Sequence, residues 1–143
     1  MGFDWDCCSE GSIRVVMLAQ EEARRLGHNF VDGGMILVGL SLEGKGRASQ
    51  ALKELGVSKN DLRSHLERII GRGDHIATGD VVPLTPAAKK ILTLAKDKSQ
   101  ISRSPEVETE HLLLAIAETS GVGQRVLENL GIRVVKLRDK LNV

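Results

Sequence analysis

The sequence contains no tyrosine, and Phe3, Trp5 and Phe30 are its only Phe or Trp residues. Sheet surfaces favour aromatic and β-branched side chains. Their scarcity argues against a sheet-based fold and for a helical core of Leu, Ile, Val and Ala. Charge of one sign is also lacking: 20 basic against 19 acidic residues leave a formal net charge of +1. A nucleic-acid binder would need a basic stripe interleaved with aromatics, and none is present. No apolar run is long enough for a transmembrane helix or a signal peptide, so no membrane partner is expected. Only two cysteines occur, Cys7 and Cys8. Adjacent residues rarely reach disulfide geometry, and no histidine lies at ligand spacing from them. They read as reduced, incidental or structural thiols, as in a cytosolic or stromal compartment.

What is present is helical period. With 143 residues the chain is long enough to bury one real core. In Ser12–Val31 the residues Ile13, Val16, Met17, Ala19, Ala23 and Leu26 recur at spacings of three and four, one face of a helix. Glu21, Glu22, Arg24 and Arg25 fall mostly on the other face and read as a solvated surface with ion pairs along the helix. Ser9 or Ser12 caps this helix and Gly27 stops it. Met35–Leu42 is almost continuously apolar and reads as a helix buried on most sides. A third helix carries Ala48, Ala51, Leu52 and Leu55, and a fourth, capped by Ser58, carries Leu62, Leu66, Ile69 and Ile70. Before them, residues 1–8 show no helical period and form an arm. Gly71–Leu84 is the one long connector. Thr85-Pro86 then starts a fifth helix with Thr as N-cap and Pro in the first turn. Polar Ser99–Val107 leads to helices over Glu108–Glu118, Gly123–Leu130 and about Val134–Leu141.

The two halves repeat. An offset of 76 carries Leu18 onto Leu94, Ala19 onto Ala95, Val31 onto Val107 and Leu37 onto Leu113. After one residue is lost in the glycine turn, an offset of 75 carries Leu55, Gly56, Leu62, Arg63 and Leu66 onto Leu130, Gly131, Leu137, Arg138 and Leu141. Matches at core and helix-stop positions define a tandem repeat. The predicted fold is all-α: two pseudo-symmetric four-helix repeats, about 9–70 and 85–141, joined by a linker over 71–84 and sharing one core.

Catalytic chemistry finds little footing. Gly39–Gly46 (GLSLEGKG) approaches a phosphate-binding loop, but Gly46 stands where Ser or Thr must hold magnesium. The stretch also follows a helix rather than a strand, so it reads as a helix–helix turn. His111 lies in an apolar helix beside Glu110 and His28 follows a helix-stopping glycine; neither has a second histidine at helical metal spacing. Cys8 sits near a terminus and no nucleophile-elbow pattern occurs. No catalytic residue, metal or cofactor is expected.

The stretches IRVVMLAQEEARRLGHNFV, LVGLSLEGKG, ALKELGV, ERIIGRG, VVPLTPAAKKIL, TEHLLLAI and RVLENLG together resemble the Clp N-terminal domain. This is the double helical repeat at the front of Clp unfoldases, and the likeness is greatest to the ClpC type of cyanobacteria and plastids. The resemblance implies a non-catalytic domain whose partners are Clp ATPase or Clp peptidase subunits, adaptors or protein substrates, in the cytoplasm or the plastid stroma. It fits a stand-alone accessory protein, which the MGFDWDCC start favours, or a domain of a longer unfoldase. Some ClpC relatives bind phosphoarginine, using a Thr at the start of a repeat's first helix and the Glu of a Gly-Thr-Glu-His motif. Thr85 and Glu110 match in the second repeat. In the first, Ser9 stands for Thr while Gly34 and Met35 replace Glu and His, which implies that this site is lost. Thr85 and Glu110 are equally well read as an N-cap and a first-turn acid.

Overall fold

A computed structural model describes residues 3–76 and 81–141. A 3-10 turn at Trp5–Cys7 precedes eight α-helices among the described residues. These are α1 (Glu10–Leu26), α2 (Gly33–Glu43), α3 (Arg47–Glu54), α4 (Lys59–Ile70), α5 (Pro86–Ile101), α6 (Thr109–Glu118), α7 (Val122–Asn129) and α8 (Val134–Leu141). The caps predicted at Ser9, Ser58 and Thr85 close their helices, and Asp32, expected in a connection, caps α2 in the same way. Ser9, Asp32, Ser58 and Thr85 each accept a hydrogen bond from the backbone N–H three residues on. The fifth helix runs on to Ile101, beyond its expected end, with Ser99 buried in the core.

The outward face of α1 differs from the periodic reading. Ile13 and Met17 are exposed, while Val15 and Glu22 point inward. The reason lies in the crossing with α2. A Cβ on Gly39 would lie 2.5 Å from the carbonyl oxygen of Val15, so the two backbones touch there and Val15 must face the contact. That contact also explains the first glycine of the near-miss phosphate motif. Its second glycine, Gly44, is the left-handed C-cap of α2. Every apolar residue of α2 from Met35 to Leu40 is buried, as its unbroken apolar run requires.

Glu22 is not on a solvated face. It is 2% exposed and receives Arg25 Nη2 at 2.7 Å and Arg63 Nη2 at 3.1 Å. Burial pushes its pKa up, but the hydrogen bonds and charges of the two arginines outweigh this and hold it below the usual carboxylate range. The carboxylate thereby ties α1 to α4. The second repeat makes the equivalent tie with the charges rearranged. Lys98, at the position matching Glu22, and Arg138, matching Arg63, both contact Glu118 at 2.8 and 3.1 Å. The acid has moved to α6 while the arginine of the fourth helix is kept.

The repeats are fastened crosswise. Among the described residues the extended backbone makes two isolated parallel bridges, Cys8 with Val107 and Val31 with Leu84. The 76-residue offset carries Cys8 onto Leu84 and Val31 onto Val107, so one contact is made twice. In each, the segment before one repeat's first helix pairs with the segment before the other repeat's second helix. The connector is laced back in the same way: Gly73 N–H donates to Leu26 O and His75 N–H to Gly27 O. Gly27 has φ +75°, and its Cβ would lie 2.3 Å from Gly73 O, so no other residue fits without strain. Residues 77–80 of the expected linker lie outside the described residues.

The buried Glu22 gives the first test. Glu22→Gln should cost about 2 kcal/mol of stability in urea unfolding, since both arginines keep solvent contact that screens the loss. Because the folded pKa of Glu22 is lowered, its share of stability is full above the unfolded value. That share disappears as the pH falls through the folded one. The variant should therefore lose part of the wild type's acid sensitivity below about pH 4.5.

Candidate functional site

The crosswise bridges decide which helix starts meet. Thr85 N–H donates to Val31 O at 2.9 Å and its hydroxyl caps α5, so Thr85 stands beside the approach to α2. Ser9 N–H donates to Val107 O at 3.0 Å, and Ser12 Oγ donates to the same oxygen at 2.7 Å. Ser9 therefore stands beside the approach to α6, the helix that carries Glu110. The structure brings Glu110 together with Ser9, and Thr85 is not among the residues lining their cleft.

That cleft, about 560 Å³, opens where the starts of α1, α3 and α6 converge. Its walls carry Glu10, Glu43, Glu106, Glu108 and Glu110 against Lys45 and Arg47, and acid predominates. Glu110 is 8% exposed, and its Oε2 accepts from Arg47 Nη1 at 3.1 Å. The starts of α3 and α6 approach closely because Gly46 has no side chain: a Cβ there would lie 2.3 Å from Thr109 Oγ1. The same Thr109 hydroxyl accepts from Ala48 N–H at 3.3 Å. Glu43 closes the preceding turn by accepting from the N–H groups of Lys45 and Gly46 at 3.1 and 2.7 Å. Such a site, with carboxylates beside three helix N-termini, suits a cationic side chain that carries or approaches an anionic group.

His111 holds α6 in register. Its Nδ1 accepts from Glu108 N–H at 2.9 Å, and Nε2 lies 3.2 Å from Ser102 Oγ. An accepting Nδ1 places the proton on Nε2 and makes the ring neutral. Burial pushes its pKa below the ordinary value, outweighing the opposing pull of Glu110 and Glu108.

The related junction at the starts of α5, α7 and α2 is built otherwise. Gly34 stands at the position of Glu110, and a Cβ there would meet Leu66 Cδ1 at 2.5 Å and Val122 Cγ1 at 3.0 Å. Gly33 and Gly123 bring the starts of α2 and α7 into backbone contact. Met35 replaces His111 and leaves Asp32 as the cap. Asp32 Oδ2 is buried with no hydrogen-bond partner, and burial raises its pKa. Apolar side chains fill the place that a carboxylate holds in the other junction.

Other candidates are structural. His28 Nε2 lies 2.8 Å from Gly71 O. Cys8, expected near a loose terminus, is 6% exposed and bridged to Val107. Its thiol is pushed up to about 12 by burial, with Cys7 adding to the effect, so it stays protonated and unreactive. Among the described residues no group of three or more His, Cys, Asp or Glu is placed to hold a metal ion. Periodicity did not reveal Arg47, although one signal was there. A cation in the first turn of a helix opposes the macrodipole and calls for a nearby acid.

Residues 8–130 match the model of the Clp repeat (R) N-terminal domain. The chain belongs to this Clp N-terminal domain family. It is 52% identical over 134 residues to the ATP-dependent Clp protease ATP-binding subunit ClpA homolog of Cyanidium caldarium, covering 93% of this chain and 16% of that protein. It is 45% identical over 134 residues to the chloroplastic chaperone protein ClpC of Pisum sativum, covering 93% of this chain and 14% of that protein. The chain thus spans about 14–16% of the length of these relatives. Its fold matches the N-terminal domain of ClpD from Arabidopsis thaliana with a TM-score of 0.78 at 20% identity, covering 98% of this chain and 95% of that one. The N-domain of ClpV from Vibrio cholerae matches with a TM-score of 0.74 at 15% identity, covering 99% and 92%. These likenesses establish the double-repeat Clp-N fold.

His111 supplies the test here. Its folded pKa is lowered, so its stabilisation is complete above the unfolded value near 6.5 and is lost as the pH falls from there. His111→Gln keeps an acceptor at the third helical position and removes the titration. The melting temperature of the variant should fall less than that of the wild type between pH 7.5 and pH 5.5.

Proposed function

We propose that this Clp-N chain is a non-catalytic docking protein of the Clp chaperone–protease system. It works by holding other proteins: Clp ATPase or peptidase subunits, adaptors or protein substrates. The observation that supports this most is the acidic cleft between the repeats, where Glu110 stands with Ser9 and the start of α1. Glu110 takes a guanidinium, while the Ser9 hydroxyl and the start of α1 face any phosphate it bears. Thr85 offers the matching hydroxyl at the start of α5, where Gly34 stands at the position of Glu110. The stronger site is therefore the one at Glu110.

A second reading, a substrate- and adaptor-binding domain of a ClpC-like unfoldase, is favoured by the alignment with about 14–16% of the length of such relatives. Both readings place the protein in cytoplasm or plastid stroma. The chloroplastic name of the pea relative supports the stroma, and no helix among the described residues is long and apolar enough to cross a membrane.

Two measurements check the proposal. The immobilised chain should recover a Clp ATPase or peptidase subunit from native plastid or cyanobacterial extract, and repeated failure to recover any would count against it. In calorimetric titration an arginine-phosphorylated peptide should bind, and Glu110→Gln should weaken it about tenfold, the value of one charge-assisted hydrogen bond.

A further inference from the structure

We propose that Arg47 is the resting occupant of the acidic cleft, and that a partner's cationic side chain binds Glu110 by displacing it. The inference rests on the docking reading above and adds its regulation. Arg47 is the first residue of α3, where the positive end of the helix repels a cation. Its guanidinium bridges two other elements. Nη1 donates to the Glu110 carboxylate of α6, and Nη2 donates to the carbonyl of Leu141 at the end of α8.

The two ends of the pair differ in burial. The Glu110 side chain is 10% exposed and that of Arg47 is 49% exposed. The acid is fixed in the wall, and the base lies across it on the solvent side. A guanidinium from a partner presents the same planar fork that Arg47 offers, so the two compete for one carboxylate. Solvent screens a pair so open on one side, which makes the internal arginine a weak competitor that yields to a ligand with further contacts. When Arg47 leaves, the cleft loses one of its two lining cations, and Glu106 and Glu108 remain to receive the newcomer. The carbonyl of Leu141 loses its donor at the same moment. Occupancy of the cleft is thereby coupled to the last turn of α8.

The test uses a fluorescent tetra-arginine peptide as probe on the full chain, with Arg47→Met and Arg47→Lys variants whose folding is checked by thermal melting. Arg47→Met keeps the length of the stem and removes the charge. It should bind the probe about threefold more tightly than wild type, and Arg47→Lys should fall between them. Amide exchange in the last turn of α8 should quicken in Arg47→Met, and in the wild type when the probe is added. Unchanged or weaker binding by Arg47→Met overturns the inference. If Glu110→Gln still weakens the arginine-phosphorylated peptide in that case, the docking reading survives alone. If neither peptide binds any form of the protein, the docking reading falls and takes the inference with it.

Discussion

Two short pieces of extended backbone, each only a bridge long, govern the architecture. By pairing Cys8 with Val107 and Leu84 with Val31, they set the lead-in of each repeat's first helix against the lead-in of the other's second helix. The exchange brings helix N-termini together at two junctions on the boundary of the repeats. Unpaired backbone N–H groups and positive helix ends gather at such places, and they must be met by caps, acids or ligands. The functional surface follows from the way the repeats are joined.

The same junction, made twice, has diverged. At one, Gly33, Gly34 and Gly123 let the helices close on each other and apolar side chains fill the gap. At the other, Thr109, Glu110 and Gly46 hold the starts of α3 and α6 in contact and leave an acidic cleft beside them. The buried ion networks diverged more conservatively. Glu22 with Arg25 and Arg63, and Glu118 with Lys98 and Arg138, each join helices within a repeat through one buried or half-buried carboxylate. Where the first repeat has Glu22 the second has Lys98, and its acid, Glu118, stands on α6 instead. A buried charge survives only with a partner.

The sequence revealed the eight helices, the caps of α1, α4 and α5 and the duplication, because local period, capping residues and helix-stopping glycines are properties of short segments. Arg63 fell on Arg138 in the repeat, but only the structure shows that each ties its helix to a carboxylate. What local pattern could not carry was the identity of the facing element. Glu22 looked like surface because its neighbours Glu21 and Arg24 are charged, yet the arginine that buries it comes from α4. Ile13 and Met17 looked like core because their spacing is right, yet the backbone contact at Gly39 turns the helix toward Val15. Thr85 and Glu110 were paired by repeat membership, whereas the crosswise bridges set Ser9 in the cleft with Glu110. Crosswise pairing between repeats leaves no period in the chain.

Recognition by the acidic cleft is the claim on which the functional account stands. Amide chemical-shift mapping of the isotope-labelled chain with an arginine-phosphorylated peptide tests it most directly. The account predicts shifts confined to Ser9–Gly11, Gly46–Arg47 and Glu108–Glu110, with a weaker echo at the end of α8. Shifts centred instead on the exposed Ile13 and Met17 face of α1, or none at saturating peptide, would contradict it.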